Sequence, residues 1–170
     1  MSRFPFAVGF VLLTLLAYAQ APPELGQGWM PEFSLAMNHV TALAEATPAE
    51  KFSWRPAPGV RSVSEVYMHL AVSNLYLLKF AGAAVDVEKI PADFEKKFTS
   101  KAEVIRWLNE STAAVRANYS MLDQKKKVKF LNQDATAGGV LLRLLAHTHE
   151  HMGQSIGYAR MNGVKPPWSE

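Results

Sequence analysis

Two histidines near the end of the sequence, His147 and His151, have the four-residue spacing of metal-binding histidines on a helix. They belong to a run of core-type positions in steps of four and three: Val140, Leu144, His147, His151, Gln154 and Tyr158. This spacing places both imidazoles on the inward face of one helix, one turn apart. Because each buried ring carries a donor and an acceptor that need partners, one metal ion bound by both rings satisfies them efficiently.

A third histidine, His69, falls in a similar run on another predicted helix: Ser62, Val66, His69, Ser73, Tyr76 and Phe80. Three inward imidazoles from two facing helices predict a metal site with open coordination positions, which is typical of catalytic rather than structural sites. Spacing alone leaves another interpretation open, in which the three are core histidines held by polar neighbours. It does not fix the ion either, since three imidazoles suit Zn, Ni, Cu or Fe.

Glu150 and Gln154 are the weaker candidates for chemistry beside this site. Residues 147–151 match the H-x-x-E-H pattern of inverted zinc proteases, in which the glutamate is the general base. Only residues 152–170 follow, too few for the further carboxylate ligand of such enzymes, so a solvated surface carboxylate is the preferred interpretation of Glu150. Gln154 lies in the core run and is placed to orient a ligand or a bound water. His149 is about 200° around the helix from His147 and should face solvent. The face of His39 is ambiguous.

Charge and cysteine content exclude several classes of function. The formal net charge is +3, and much of it comes from Lys125, Lys126, Lys127 and Lys129. A nucleic-acid surface needs basic residues spread along a face with readers between them, and no such pattern is present, so we expect no nucleic-acid partner. The sequence contains no cysteine, which excludes disulfides, thiolate ligands and a cysteine nucleophile.

Residues 1–19 have the pattern of a secretory signal peptide. Arg3 precedes an apolar segment at residues 6–16, and Ala17-Tyr18-Ala19 is a small-x-small cleavage site. The apolar segment is shorter than the roughly 20 residues that span a bilayer. We therefore expect an exported protein, periplasmic or secreted, with no stable membrane span after cleavage and a linker at residues 20–30. An uncleaved N-terminal anchor is the alternative.

The remaining residues, 31–170, predict one all-α domain. Helical stretches are expected at about 31–46, 62–83, 100–122 and 136–161, with capping boxes at Ser62/Glu65 and Ser100/Glu103. The lysine-rich segment before the last helix is interpreted as a polar turn, and no strand-like alternation competes with the helices. Four helices with one apolar face each bury those faces best as a four-helix bundle. The connector at residues 84–99 is long enough for a topology other than simple up-down.

The sequence also resembles the DinB family, the DinB/YfiT-like metalloenzymes. The resemblance covers nearly all of residues 31–170 and is carried by WRPAPGVRSV at 54–63, EVYMH at 65–69, HTHEHMGQ at 147–154 and YARMNGVKPPWS at 158–169. It implies a four-helix bundle of up-down-down-up topology and one divalent metal, often Zn or Ni, on His69, His147 and His151. It also implies homodimers in many cases. Some relatives are thiol-dependent transferases or isomerases, but an export signal removes this chain from the cytosolic thiol pool.

Two functions follow as hypotheses. The first is a divalent-metal-dependent enzyme of hydrolase or transferase type, acting on a small molecule that the sequence does not identify. The second is a non-enzymatic exported module that binds a metal or a small ligand, since no confident base or nucleophile accompanies the histidines. A purely structural helical protein with buried histidines is the plainest alternative.

Overall fold

The computed structural model describes residues 26–169, which form a helical bundle with one small hairpin. The predicted signal peptide and most of the predicted linker lie outside the described residues. The chain order is α1 (Trp29–Ala46), α2 (Val63–Phe80), α3 (Phe94–Lys97), α4 (Lys101–Tyr119), β1 (Lys127–Phe130), β2 (Gln133–Thr136) and α5 (Ala137–Met161), with a short 3₁₀ turn at Ala49–Lys51. The predicted four-helix bundle is confirmed, and its four helices are α1, α2, α4 and α5.

Three of the four bundle helices, α2, α4 and α5, begin at polar residues whose side chains cap their first amide groups. Ser62 accepts a hydrogen bond from the Glu65 amide, and the Glu65 carboxylate accepts one from the Ser62 amide, so this capping box is complete. Ser100 caps the Glu103 amide, but the Glu103 carboxylate accepts from the Ser100 hydroxyl instead of its amide. Thr136 caps α5 through the Gly139 amide. The Ser62 box matters most for function because it fixes the start of the helix that carries His69.

Helix α1 packs on α4 and α5, and α2 packs on the same two helices. Of the bundle helices that follow one another in the chain, α2 and α4 are direct neighbours, whereas α1 with α2 and α4 with α5 are not among the main packing pairs. The centre is filled by apolar side chains with under 2% exposure, among them Phe33, Tyr67, Leu70, Leu108 and Leu144. At about 25 cal/mol per Å² of buried apolar surface, this core is the main source of stability.

The inward run predicted for α2 is correct only in its first half. Ser62 and Val66 are buried, whereas Tyr76 and Phe80 are 38% and 37% exposed. Toward its C-terminal end α2 buries Asn74, Leu77 and Leu78 instead. An α-helix has 3.6 residues per turn, so a strict four-three run drifts around a straight helix and leaves the core face. His69 consequently sits at the edge of the core rather than in its centre.

The lysine-rich segment is a β-hairpin, where a polar turn was expected. Lys127 pairs with Thr136 and Phe130 with Gln133 in antiparallel register. The two turn residues Leu131 and Asn132 have φ of 49° and 65°, as a two-residue hairpin turn with positive φ at both positions requires. Phe130 packs edge-on against Phe80 at the end of α2, with ring centroids 5.4 Å apart. The hairpin thus covers an aromatic ring that the bundle leaves partly exposed.

Within residues 26–169, no helix is both long enough and apolar enough to cross a membrane.

Candidate metal centre

The three predicted histidines meet at one point between α2 and α5. Each offers one ring nitrogen, and these three atoms all lie within 4.8 Å of one another. The ring centroids are 4.4 Å apart for His147 and His151, 4.9 Å for His69 and His151, and 5.2 Å for His69 and His147. Nitrogen atoms around a tetrahedral zinc ion are about 3.3 Å apart, from Zn–N bonds of about 2.0–2.1 Å. The group is therefore compact enough to hold a metal ion.

Helix α5 supplies two of the rings because its core face contains them. His147 and His151 are 7% and 8% exposed and are flanked along the same face by buried Leu144 and Tyr158. Their Nε2 atoms face each other at 3.0 Å. The four-residue spacing thus produces the convergence of two rings that the sequence predicted.

A glutamate from the connector fixes the ring of His69. The Nδ1 atom of His69 lies 2.9 Å from Oε1 of Glu95, which is on the short helix α3. The other carboxylate oxygen of Glu95 accepts a hydrogen bond from Nε of Arg61 at 2.7 Å. A carboxylate at Nδ1 holds the proton on that nitrogen and leaves Nε2 as the lone-pair donor, which is the arrangement that supports metal-binding histidines.

His151 is fixed by a second network along its own helix. Its Nδ1 donates to Oε1 of Gln154 at 2.8 Å, since an amide oxygen can only accept. The amide nitrogen of Gln154 donates to the hydroxyl of Tyr158 at 3.2 Å, so the orientation of the amide is itself determined. Gln154 therefore occupies the orienting position expected from the sequence, and the Nε2 of His151 is left with a lone pair directed at the cluster.

His147 lacks such support: its buried Nδ1 has no hydrogen-bond partner among residues 26–169. Its Nε2 faces the lone pair of His151, so a cation has to lie between the two nitrogens, either a proton or a metal ion. Burial, followed by electrostatic repulsion between its ring and those of His151 and His69, lowers the pKa of His147 to about 4. Because neutral imidazole is the form that binds metals, this ring is in the ligand form at neutral pH.

The pKa of His69 is also lowered. Burial is the largest cause, and the positive charge of Arg61 is the next, while the hydrogen bond to Glu95 acts in the opposite direction. The lowered pKa values of His69 and His147 have the same consequence, since both rings are neutral at neutral pH. The donor set, the tautomers of His69 and His151 and the lowered pKa values of His69 and His147 fit a divalent ion.

The remaining candidates are placed away from this cluster. Glu150 is exposed and its carboxylate pairs with Arg143 at 3.3 Å, as expected for a surface group. His149 is half-buried rather than fully solvated, because its Nδ1 donates to the backbone carbonyl of Leu145 at 3.0 Å. His39 stacks on Trp168 with ring centroids 4.0 Å apart, so it anchors the C-terminal tail to α1.

Glu95 is the functional residue that the sequence did not indicate. It lies 26 residues after His69 in a connector without periodic pattern, next to Lys96 and Lys97. No spacing rule links a connector carboxylate to a helical histidine. Arg61 and Tyr158, the other members of the networks, do fall within the segments that carry the family resemblance.

A four-helix bundle with three convergent histidines from two of its helices is a helical bundle with a candidate metal site. The family model of the DinB superfamily matches residues 32–155 of this chain, which is well over half of it. The chain belongs to the DinB superfamily.

Two solved structures have the same fold. A DinB-like protein from Bacillus cereus ATCC 10987 superposes with a TM-score of 0.69 at 18% identity, covering 84% of this chain and 95% of the other. A DinB-like protein from Bacillus subtilis gives a TM-score of 0.63 at 17% identity, covering 81% and 92%. No curated protein matches the chain. At these identities the likeness concerns the fold alone.

Proposed function

We propose that this protein is a divalent-metal-dependent enzyme of hydrolase or transferase type, with the ion on His69, His147 and His151. One observation carries the proposal: three ring nitrogens lie within 4.8 Å, and two of the rings have their other nitrogen held by Glu95 or Gln154. Membership of a superfamily of metal-binding bundles supports it.

When bound, such an ion supplies a Lewis acid that polarises a substrate and lowers the pKa of a group bound to it. The residues of the chain prepare the site for it. Glu95 keeps the proton of His69 on Nδ1, and its negative charge raises the basicity of that ring. Gln154 does the same for His151 without adding charge. Three protein ligands leave further coordination positions for a substrate.

Zinc and nickel are the ions we propose. Three imidazole nitrogens, with no thiolate or carboxylate among the proposed ligands, suit both ions, and hard cations such as magnesium prefer oxygen ligands.

A second candidate function is an exported module that binds a metal or small ligand without turnover. It is favoured by the position of Glu150, whose exposed carboxylate pairs with Arg143 instead of reaching the histidines. Gln154 cannot act as a base, since its amide does not titrate. Turnover of an ester, an amide or a thiol-transfer substrate by the metal-loaded protein, lost on chelation, would exclude this candidate.

Location and partners belong to the same proposal. The segment at residues 1–19 supports an exported protein, periplasmic or secreted, and the family resemblance supports a homodimer that acts on a small molecule. Mass spectrometry of the mature N-terminus and sedimentation analysis test these two points separately. An intact residue 1–19 segment would contradict cleavage and favour the uncleaved anchor, and a monomer at all concentrations would contradict the homodimer.

Metal analysis of the purified protein tests the centre itself. We expect about one divalent ion per chain in the wild type and close to none in a His147→Ala/His151→Ala double variant. His149→Ala is the matched control, because this histidine is on the same helix but bonds to Leu145 instead of joining the cluster. Equal metal content in wild type and double variant, with no change in melting temperature on chelation, would establish the plain structural alternative.

A further inference from the structure

An open pocket of about 560 Å³ lies beside the histidine cluster and has an unusual charge distribution. Glu95 and Gln154, the residues that hold the ring protons of His69 and His151, form part of its wall. The other charged side chains that line it are Arg55, Arg61, Glu65 and Lys96. The pocket therefore adjoins the metal centre through the two residues that orient its ligands.

Both carboxylates of the pocket are occupied by bonds within the protein. Glu65 accepts from the Ser62 amide and pairs with Arg55, with a closest oxygen-to-nitrogen distance of 3.2 Å. Glu95 accepts from His69 with one oxygen and from Arg61 with the other. The negative charges of the pocket are thus neutralised in place, and neither is available to a cationic ligand.

Among the three cations, in contrast, Arg61 and Lys96 keep the most donors available. Arg55 donates to Glu65 and to the Val60 carbonyl. Arg61 uses only its Nε, and its two terminal nitrogens make no hydrogen bond within residues 26–169. Lys96 is exposed and forms no ion pair within the described part of the chain. An arginine fork and an ammonium group that line one pocket form a good receptor for an oxyanion.

From this arrangement we infer that the pocket binds a carboxylate of the substrate, held by Arg61 and Lys96, while the reacting group of that substrate lies at the histidine cluster. The three cations and two carboxylates that line the pocket give it a net charge of +1, which matches a monoanion better than a dianionic phosphate. The inference rests on the proposed metal function and specifies its substrate class.

Hydroxamates provide a test because they bind divalent metals and can carry a second group. The zinc-loaded protein is titrated by calorimetry with unbranched alkanoyl hydroxamates and with their ω-carboxy counterparts of two to four methylenes. We expect the carboxylate to increase affinity about tenfold at one chain length, as one charge-assisted contact with an arginine provides. The phosphonate of the same length should bind less tightly than the carboxylate.

Variants locate the effect within the pocket. The quantity compared is the dissociation constant of the alkanoyl hydroxamate divided by that of its ω-carboxy counterpart. In Lys96→Gln this ratio should fall about threefold or more, and in Arg61→Gln it should approach one. Lys97→Gln is the matched control, since Lys97 is the adjacent exposed lysine of α3 but lies outside the pocket wall. Loss of Arg61 can change metal affinity through Glu95, and such a change affects both hydroxamates equally. It therefore cancels in the ratio measured within each variant.

The outcomes separate this inference from the function on which it rests. If neither hydroxamate binds the zinc-loaded protein, the open metal site is wrong. If both bind equally at every chain length, or if Lys97→Gln changes the ratio as much as Lys96→Gln, the carboxylate pocket is wrong and the metal site stands. Tighter binding of the phosphonate would overturn the choice of a carboxylate.

Discussion

The hydroxyl of Tyr158 donates to the backbone carbonyl of Arg61 at 3.2 Å, joining residues 97 positions apart in the chain. Tyr158 also accepts from Gln154, which holds His151, while the side chain of Arg61 holds Glu95, which fixes His69. Arg61, in the loop before α2, therefore contacts the supporting residues of two histidines. Its backbone carbonyl binds Tyr158 in the network of His151, and its side chain binds Glu95, which holds His69. Displacement of this loop should disturb the rings on both helices together.

Removal of the Glu95 carboxylate should weaken metal binding. In Glu95→Ala the Nδ1 of His69 loses its acceptor, so its tautomer and orientation are no longer fixed, and we expect affinity to fall by about 10–100-fold. Competition with a chromophoric chelator measures this. Glu110→Ala is the control, because Glu110 is an exposed glutamate that, within residues 26–169, pairs only with Arg106 one turn away. Equal losses in both variants would refute a supporting role for Glu95.

Gln154 should act through its acceptor oxygen alone. Gln154→Leu removes the acceptor for His151 and should lower metal affinity about tenfold, whereas Gln154→Glu keeps an acceptor at the same place and should restore it. A titration of both variants with the same chelator provides the comparison. If the glutamate variant is as weak as the leucine variant, the residue contributes by shape and not by its hydrogen bond.

The metal-free protein should lose stability as the pH falls through the range of its buried histidines. His147 titrates near 6.5 when unfolded and near 4 when folded, so between these values the unfolded chain binds a proton that the folded chain does not. The free energy of unfolding should therefore fall from about pH 6.5 down to about pH 4 and change little above pH 7 through this group. The lowered pKa of His69 acts in the same direction.

Urea unfolding at several pH values measures that slope in the presence of a chelator. His147→Gln cannot titrate at this position and should show a shallower pH dependence, while His149→Gln should retain the slope of the wild type. An unchanged slope in His147→Gln would mean that His147 is not the group responsible.

The hairpin turn offers a stabilising substitution. Leu131 is 68% exposed and has a φ of 49°, a conformation that disfavours leucine and suits asparagine. We expect Leu131→Asn to raise the free energy of unfolding by about 1 kcal/mol, observed as an increase of a few degrees in melting temperature. Met121→Asn is the control for simple removal of exposed apolar surface, since Met121 is 72% exposed outside the hairpin. Equal effects of the two would exclude relief of backbone strain.

The sequence by itself determined the helical bundle, the ring pair on α5 and the start of α2. These features depend on rules that act over one or two helical turns. The spacing of His147 and His151 fixes their common face whatever the rest of the fold, and Ser62 and Glu65 cap a helix through contacts three residues apart. Even the hairpin has a local signal, the alternation of Val128 and Phe130, which the surrounding lysines obscured.

Only the tertiary structure decided how the rings are held. The contacts of Glu95 with His69 and of Tyr158 with Arg61 join residues 26 and 97 positions apart. Such pairs depend on the path of the connector across the end of the bundle, and that path follows from how the whole core packs and not from any repeating pattern. Helical periodicity can place a histidine on a face, but a partner that arrives from an aperiodic loop leaves no periodic trace in the sequence.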